Sequence, residues 1–179
     1  MSDPSSDESN PLNEFSGCHE GIIRNFHQLA EFADRVEQGE DPDTLRPRAK
    51  RLLRFFEDVV LEHHGEEEEE LFTAVRDSLD GEADAERARQ QIDRLVREHR
   101  ELEALWSEVE PAIRRIARGK PAALDSQRAR LLAERYLDHA AFEEREFLPL
   151  AKRILSKNAM SALGLSLHMR HQRKVNPYI

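Results

Sequence analysis

Apolar residues recur at steps of three and four through most of the chain, which is the spacing of one buried face on an α-helix. The first such segment runs through Ile22, Phe26 and Leu29. Ser16 is a suitable N-cap for this helix, and Pro111 should kink the third helix because it lacks a backbone donor. The pattern predicts four long amphipathic helices and a shorter fifth one, at about residues 16–37, 44–79, 83–117, 126–155 and 156–173.

The predicted helices are joined by short connections, which favour antiparallel neighbours. The sequence therefore predicts an all-α fold, an up-down-up-down antiparallel four-helix bundle with a short C-terminal fifth helix. The first residues are acidic and rich in Ser and Pro, a composition typical of disorder. We expect a disordered acidic segment at 1–14, the bundle at 15–155, and a C-terminal helix with a basic tail at 156–179.

One polar motif occurs twice on the predicted inner faces. Each copy has a His, a Glu four residues later, a second Glu at five, and two large apolar residues at eight and nine. Each copy is also preceded by another His inside an apolar-periodic segment. The resulting set of four His and two paired Glu is His19, His63, Glu67, His99, His139 and Glu143.

The spacing directs these side chains toward the interior of the bundle. Residues four apart on a helix stand on one face, so His63 and Glu67 can point at one position between Val60 and Leu71. A buried carboxylate without a partner costs several kcal/mol, which a pair of cations would offset. Imidazole and carboxylate ligands suit iron, manganese or zinc, and two bridging carboxylates with terminal His favour a di-iron centre over one structural zinc.

Three further Glu have two interpretations each. Glu103 lies four residues after His99, so it is either an additional terminal carboxylate ligand of one metal or a surface acid. Glu68 and Glu144 repeat at the fifth position after the motif His, and they either support the ligands from outside or belong to the charged helix surface.

The remaining polar residues near the motif have plainer expectations. His64 is expected at the rim of the site. Tyr136 either lines the pocket or packs in the core with its hydroxyl bonded to a carboxylate. Three members of the acidic run are expected on a solvated face, namely Glu66, Glu69 and Glu70.

Composition narrows the classes of function. The 179 residues suffice for one domain, and the net charge of −9 argues against a general binder of nucleic acid or of anionic membranes. No apolar run is long enough to span a bilayer, and no secretory signal is visible at the N-terminus. The single Cys18 excludes an internal disulfide, which suits a reducing cytoplasm.

At these residues the chain resembles the haemerythrin-like, or HHE cation-binding, family. The resemblance rests on the doubled motif and the two preceding His, and it covers roughly residues 15–155. It implies a non-haem di-iron site with the four His as terminal ligands and Glu67 and Glu143 bridging the irons. Oxygen-carrying members have a fifth His one turn after the third-helix His, where this chain has Glu103. A carboxylate ligand there would stabilise ferric iron and disfavour simple release of O2.

Several functions are compatible with this site. The favoured one is a cytoplasmic di-iron protein that binds or senses O2, NO or peroxide, or holds iron. The alternatives are a peroxidase- or reductase-type enzyme of oxidative or nitrosative stress defence, and a module whose iron occupancy controls contact with a protein partner that the sequence does not identify. A helical bundle that binds no metal is the least favoured hypothesis.

Overall fold

The computed structural model describes residues 10–81 and 83–175, and side chains up to residue 172. Within these ranges every regular element is helical, which confirms the all-α bundle. We label the helices α1 to α5. They are α1 at Leu12–Glu37, α2 at 42–77, α3 at Ala85–Ala117, α4 at 126–154 and α5 at Lys157–Val175.

Two of the bundle helices contain π-helical turns, in which one extra residue is inserted into the α-helix. In α2 these turns lie at Phe56–Val60 and Glu67–Leu71, and α4 has one at Glu143–Phe147. The remaining parts of both helices are α-helical. Those parts are Pro42–Phe55, Leu61–Glu66 and Phe72–Asp77 in α2, and Ser126–Phe142 and Leu148–Ile154 in α4.

The helix ends follow local chemistry except at the start of α1. Asp41 accepts a bond from the Asp43 amide at 3.0 Å and so caps α2, and Asp125 caps α4 in the same manner. The expected N-cap at Ser16 is wrong, because α1 begins at Leu12. Leu12 and Phe15 are buried in a cluster that includes residues of α5, so distant packing extends this helix. Residues 1–9 of the expected disordered segment lie outside the described residues.

The four long helices surround a core that has two apolar clusters. Helix α1 packs against α2 and α4, and α3 packs against the same two helices from the other side. One cluster contains Ile22 and Leu102, and the other contains Phe15 and Leu95. Buried His and Glu side chains separate the clusters along each of the four long helices, as His19 does on α1. The candidate site is therefore a polar layer across the middle of the bundle.

Helix α5 covers the outer side of α2. Its own Leu163 and Leu167 are buried, and its Arg170 contacts Glu62 at 2.7 Å and Glu69 at 2.6 Å, both on α2. Glu66, expected on a solvated face, is instead 8% exposed because His171 and Arg170 lie over it. None of the described helices combines the length and apolar character that crossing a membrane would require.

Candidate metal centre

Two groups of buried side chains meet in the polar layer. Within each group the ligand atoms lie no more than 4.8 Å from one another. All four long helices contribute to them. The first group is His19, His63, Glu67 and Glu143, and the second is His64, His99 and His139.

Glu67 extends toward both groups. Its Oε1 lies 2.8 Å from His63 Nε2 and 3.6 Å from His19 Nε2, whereas its Oε2 lies 3.1 Å from His99 Nε2. Glu143 also reaches both, because its Oε2 lies 3.4 Å from His19 Nε2 and 3.7 Å from His139 Nε2. The two carboxylates therefore lie between the two sets of imidazoles.

These atoms fit the donor set of a cation site. The Nε2 atoms of all five His and the four oxygens of the two Glu are buried and have no hydrogen-bond partner among the described residues. Unpaired buried polar atoms are costly and rare, so a cluster of nine indicates a shared missing partner. Two ligands at about 2.1 Å from one cation and at right angles lie about 3.0 Å apart, close to the separations observed here.

Carboxylates orient most of the imidazoles from behind. A carboxylate on the far ring nitrogen fixes the ring and leaves the other nitrogen facing the centre, as is usual for His that bind metals. Four of the five His have such a partner at Nδ1. The pairs are His19 with Glu144 at 2.7 Å, His64 with Glu103 at 3.2 Å, His99 with Glu68 at 2.8 Å, and His139 with Glu98 at 2.9 Å.

The π-helical turns explain why consecutive Glu residues act at the site. One π-helical turn begins at Glu67 and another at Glu143, and each of them inserts a single extra residue into its helix. Consequently Glu67 faces the centre while Glu68 reaches His99 on α3. On α4, Glu144 reaches across to α1 in the same manner. The question that the sequence left open for Glu68 and Glu144 is thus answered: both contact His from outside the centre. Such turns are frequent at functional sites.

The charges of the first group favour binding of a cation. Considering the protein's own side chains alone, burial would lower the pKa of His19, but Glu143, Glu144 and Glu67 raise it to about 12. Burial also opposes protonation of His63, yet Glu67 raises its pKa to about 10. Two buried carboxylates thus draw positive charge into the layer, which metal cations can supply in place of protons.

His64 is not at the rim, as the sequence had suggested. It is 2% exposed, and its ring stacks on that of His99 with centroids 4.0 Å apart and planes at 7°. Burial lowers the pKa of His64 to about 3, and Glu103 offsets this only in part. The imidazole is therefore neutral, and its Nε2 lone pair is available to a cation.

Glu103, one of the candidate ligands, lies outside both groups. Its Oε1 is on the outer side of His64, and both of its oxygens accept bonds at 2.8 Å from Arg100. This guanidinium holds the carboxylate toward solvent, and the Glu103 side chain is 28% exposed. The position agrees with the second of the two alternatives for Glu103, that of an acid at the surface. Glu98, the partner of His139, was not foreseen, because nothing in the motif marks it.

Tyr136 lies fully buried beside the site. Its ring stacks on Phe26 with centroids 4.2 Å apart, and it lies 5.8 Å from the ring of His139. Its hydroxyl has no hydrogen-bond partner among the described residues, so the expected bond to a carboxylate is not formed. Burial, together with Glu67 and Glu143, raises the pKa of this hydroxyl well above its usual value. It therefore remains a proton-bearing donor.

Comparison with known proteins agrees with this site. The family model of the hemerythrin HHE cation-binding domain matches residues 10–151, which include every residue of both groups. The chain belongs to the hemerythrin HHE cation-binding family. No curated protein matches it, and no solved structure does so either.

Proposed function

We propose that this chain binds two iron ions in the polar layer and uses them to bind a small ligand such as O2, NO or peroxide. The observation that carries the proposal is the position of Glu67, since its two oxygens face different groups of His. A carboxylate in that position can bridge two cations. The proposed terminal ligands are His19 and His63 for one ion, and His64, His99 and His139 for the other.

The two proposed metal positions differ in how many protein ligands they have. If both Glu were shared, two His would hold one ion and three would hold the other, so the two-His position would keep more open coordination. Bound iron would supply there the redox chemistry and the coordination position that a diatomic or peroxide ligand needs. His64 from α2 would be the fifth His ligand, which the oxygen-carrying members of the family have on the third helix instead.

The protein's own side chains would control what binds. Apolar residues line both sides of the layer, among them Phe26 and Phe147, and both are fully buried. They exclude bulk water and larger polar molecules from the layer. The protonated hydroxyl of Tyr136 interacts electrostatically with Glu67 and Glu143, and it has no hydrogen-bond partner among the described residues. It is therefore the donor that we expect to bond a small ligand.

The first test is the metal content of protein expressed with ample iron, measured together with its absorption spectrum. About two irons per chain, with near-ultraviolet bands that bleach on reduction by dithionite, would support the di-iron assignment. Protein that stays helical and takes up no iron under these conditions would contradict it. Preferential uptake of zinc or manganese would retain the cation site and reject the redox role.

The second test concerns the small ligand. NO is added to the anaerobic reduced protein, and its affinity is read from the visible spectrum. Tyr136→Phe removes one hydrogen-bond donor and should weaken NO about fivefold, since such a bond contributes about 1 kcal/mol. Trp106→Phe, in the same apolar cluster, is the matched control and should leave the affinity unchanged. Equal affinities in all three proteins would reject the assignment of Tyr136.

Peroxide turnover is the alternative that Tyr136 also favours, because a buried protonated hydroxyl can serve as a proton donor. It is tested with the same iron-loaded protein by following peroxide consumption in the presence of a reductant. Sustained consumption would favour an enzyme of oxidative stress defence over a binding or sensing protein.

Our proposal includes a cytoplasmic location, which a chain with a single cysteine suits.

A further inference from the structure

Arg100 is an exposed residue of α3 that contacts two of the carboxylates behind the site. Its Nη1 donates to both oxygens of Glu103 at 2.8 Å, and its Nη2 donates to Glu68 Oε2 at 2.5 Å. Glu103 belongs to α3 and Glu68 belongs to α2. A single guanidinium therefore joins the two helices, although its own side chain is 56% exposed.

Each of these carboxylates also holds one His of the second group. The other oxygen of Glu68 bonds His99 Nδ1 at 2.8 Å, and Glu103 Oε1 lies 3.2 Å from His64 Nδ1. The two His rings are stacked nearly parallel. Arg100 is consequently linked through these two carboxylates to two imidazoles, His64 on α2 and His99 on α3, which belong to one group.

We propose that Arg100 is a positioning residue for the three-His metal position. This inference rests on the proposed function, since it assumes that His64 and His99 bind the same ion. The planar guanidinium has donors on two sides, so it can fix two carboxylates at once, which a lysine ammonium does less well. Without it, Glu68 and Glu103 are like charges on neighbouring helices and are free to turn to solvent.

The effect of Arg100 is confined to one half of the centre. In the two-His half, Glu144 bonds His19 and receives its second bond from the Ser16 hydroxyl at 2.9 Å. Arg100 contacts neither of these side chains. Loss of Arg100 should therefore weaken one of two bound ions and leave the other nearly unchanged, whereas a general loss of stability would weaken both.

The experiment compares Arg100→Gln, Arg100→Lys and the control Arg97→Gln, which lies on the exposed face of the same helix. Ferrous iron is titrated anaerobically into each metal-free protein, and the two dissociation constants are obtained by competition with a chelator. Arg100→Gln should weaken one ion by about tenfold, the lower end of the effect of losing a group that bonds a ligand directly, because Arg100 acts through Glu68 and Glu103. Arg100→Lys should restore part of the affinity, and Arg97→Gln should match the wild type.

Stability is measured in parallel on the metal-free proteins. Exposed ion pairs contribute about 0–1 kcal/mol, so the melting temperatures should differ by no more than about 4 °C. A wild type that binds fewer than two ions would overturn the proposed function itself. If the wild type binds two ions, the role of Arg100 would be overturned by a Gln variant that kept both affinities or lost both equally.

Discussion

Replacing Glu67 by Gln is the most direct perturbation of the proposed bridge. The change keeps the shape of the side chain but converts one oxygen into an amide nitrogen, which bears hydrogens and cannot bind a cation. In the structure, Oε1 faces His63 and Oε2 faces His99, so one of the two contacts must be lost whichever way the amide turns. The side chain is fully buried, and water has no direct access to replace the missing oxygen.

The magnitude follows from linkage between metal binding and folding. A metal at a free concentration of 1,000 times its dissociation constant stabilises the folded protein by about 4 kcal/mol, which is about 8–16 °C in melting temperature for a domain of this size. Loss of a direct ligand should weaken binding at least as much as loss of a group that orients one, by about 100-fold. The remaining stabilisation is then about 1.4 kcal/mol, or about 3–6 °C.

The assay is thermal unfolding of each protein with and without ferrous iron under anaerobic conditions. Each variant is its own reference, so any effect of Glu67→Gln on the metal-free protein cancels. Glu70→Gln is the matched control, because Glu70 lies three residues further on and bonds Ser166 of α5. It should keep the full iron-dependent increase. If Glu67→Gln also keeps the full increase, the bridging role of Glu67 is refuted.

Three further predictions concern the same centre. His64→Leu should reduce the content from about two ions to about one, and a content of two would show that His64 is not a ligand. Glu144→Gln should weaken the binding of the ion held by His19 about 10–100-fold in chelator competition, because Glu144 orients that imidazole. An unchanged dissociation constant would contradict the orienting role of Glu144. The pKa values of about 12 for His19 and 10 for His63 mean that metal must displace protons at neutral pH. Affinity should therefore rise between roughly pH 6 and pH 9, with proton release detectable by calorimetry in two buffers, and an affinity independent of pH would refute this reasoning.

Most of the fold follows from the hydrophobic pattern of the sequence. The starts and ends of α2 to α5 lie within two residues of their predicted positions, because the inner faces of these helices are continuous. The start of α1 was missed, since Leu12 and Phe15 are buried partly by residues of α5. Packing between segments that are distant in sequence leaves no local signal, so a cap residue such as Ser16 was a poor guide.

The candidate site was less accessible from the sequence. The doubled motif identifies Glu67 and Glu143, which the structure brings between the two groups of His. His64 was missed because the pattern was assumed to have one inward residue at this turn. A signal did exist, since Phe56, Val60 and His64 are spaced by four, and all three are buried. Contacts such as that between Glu98 and His139 depend on the relative rotation of two helices, which spacing within one helix cannot give.

The polar layer between the two apolar clusters has a consequence for how the bundle opens. Each cluster can come apart locally with little effect on the other, because the buried apolar residues that the structure describes form two separate clusters. Two cations that hold ligands from all four long helices would link these two half-cores into one cooperative unit. Release of metal and local opening would then be a single equilibrium, and the lifetime of the folded chain in a cell would follow the supply of iron.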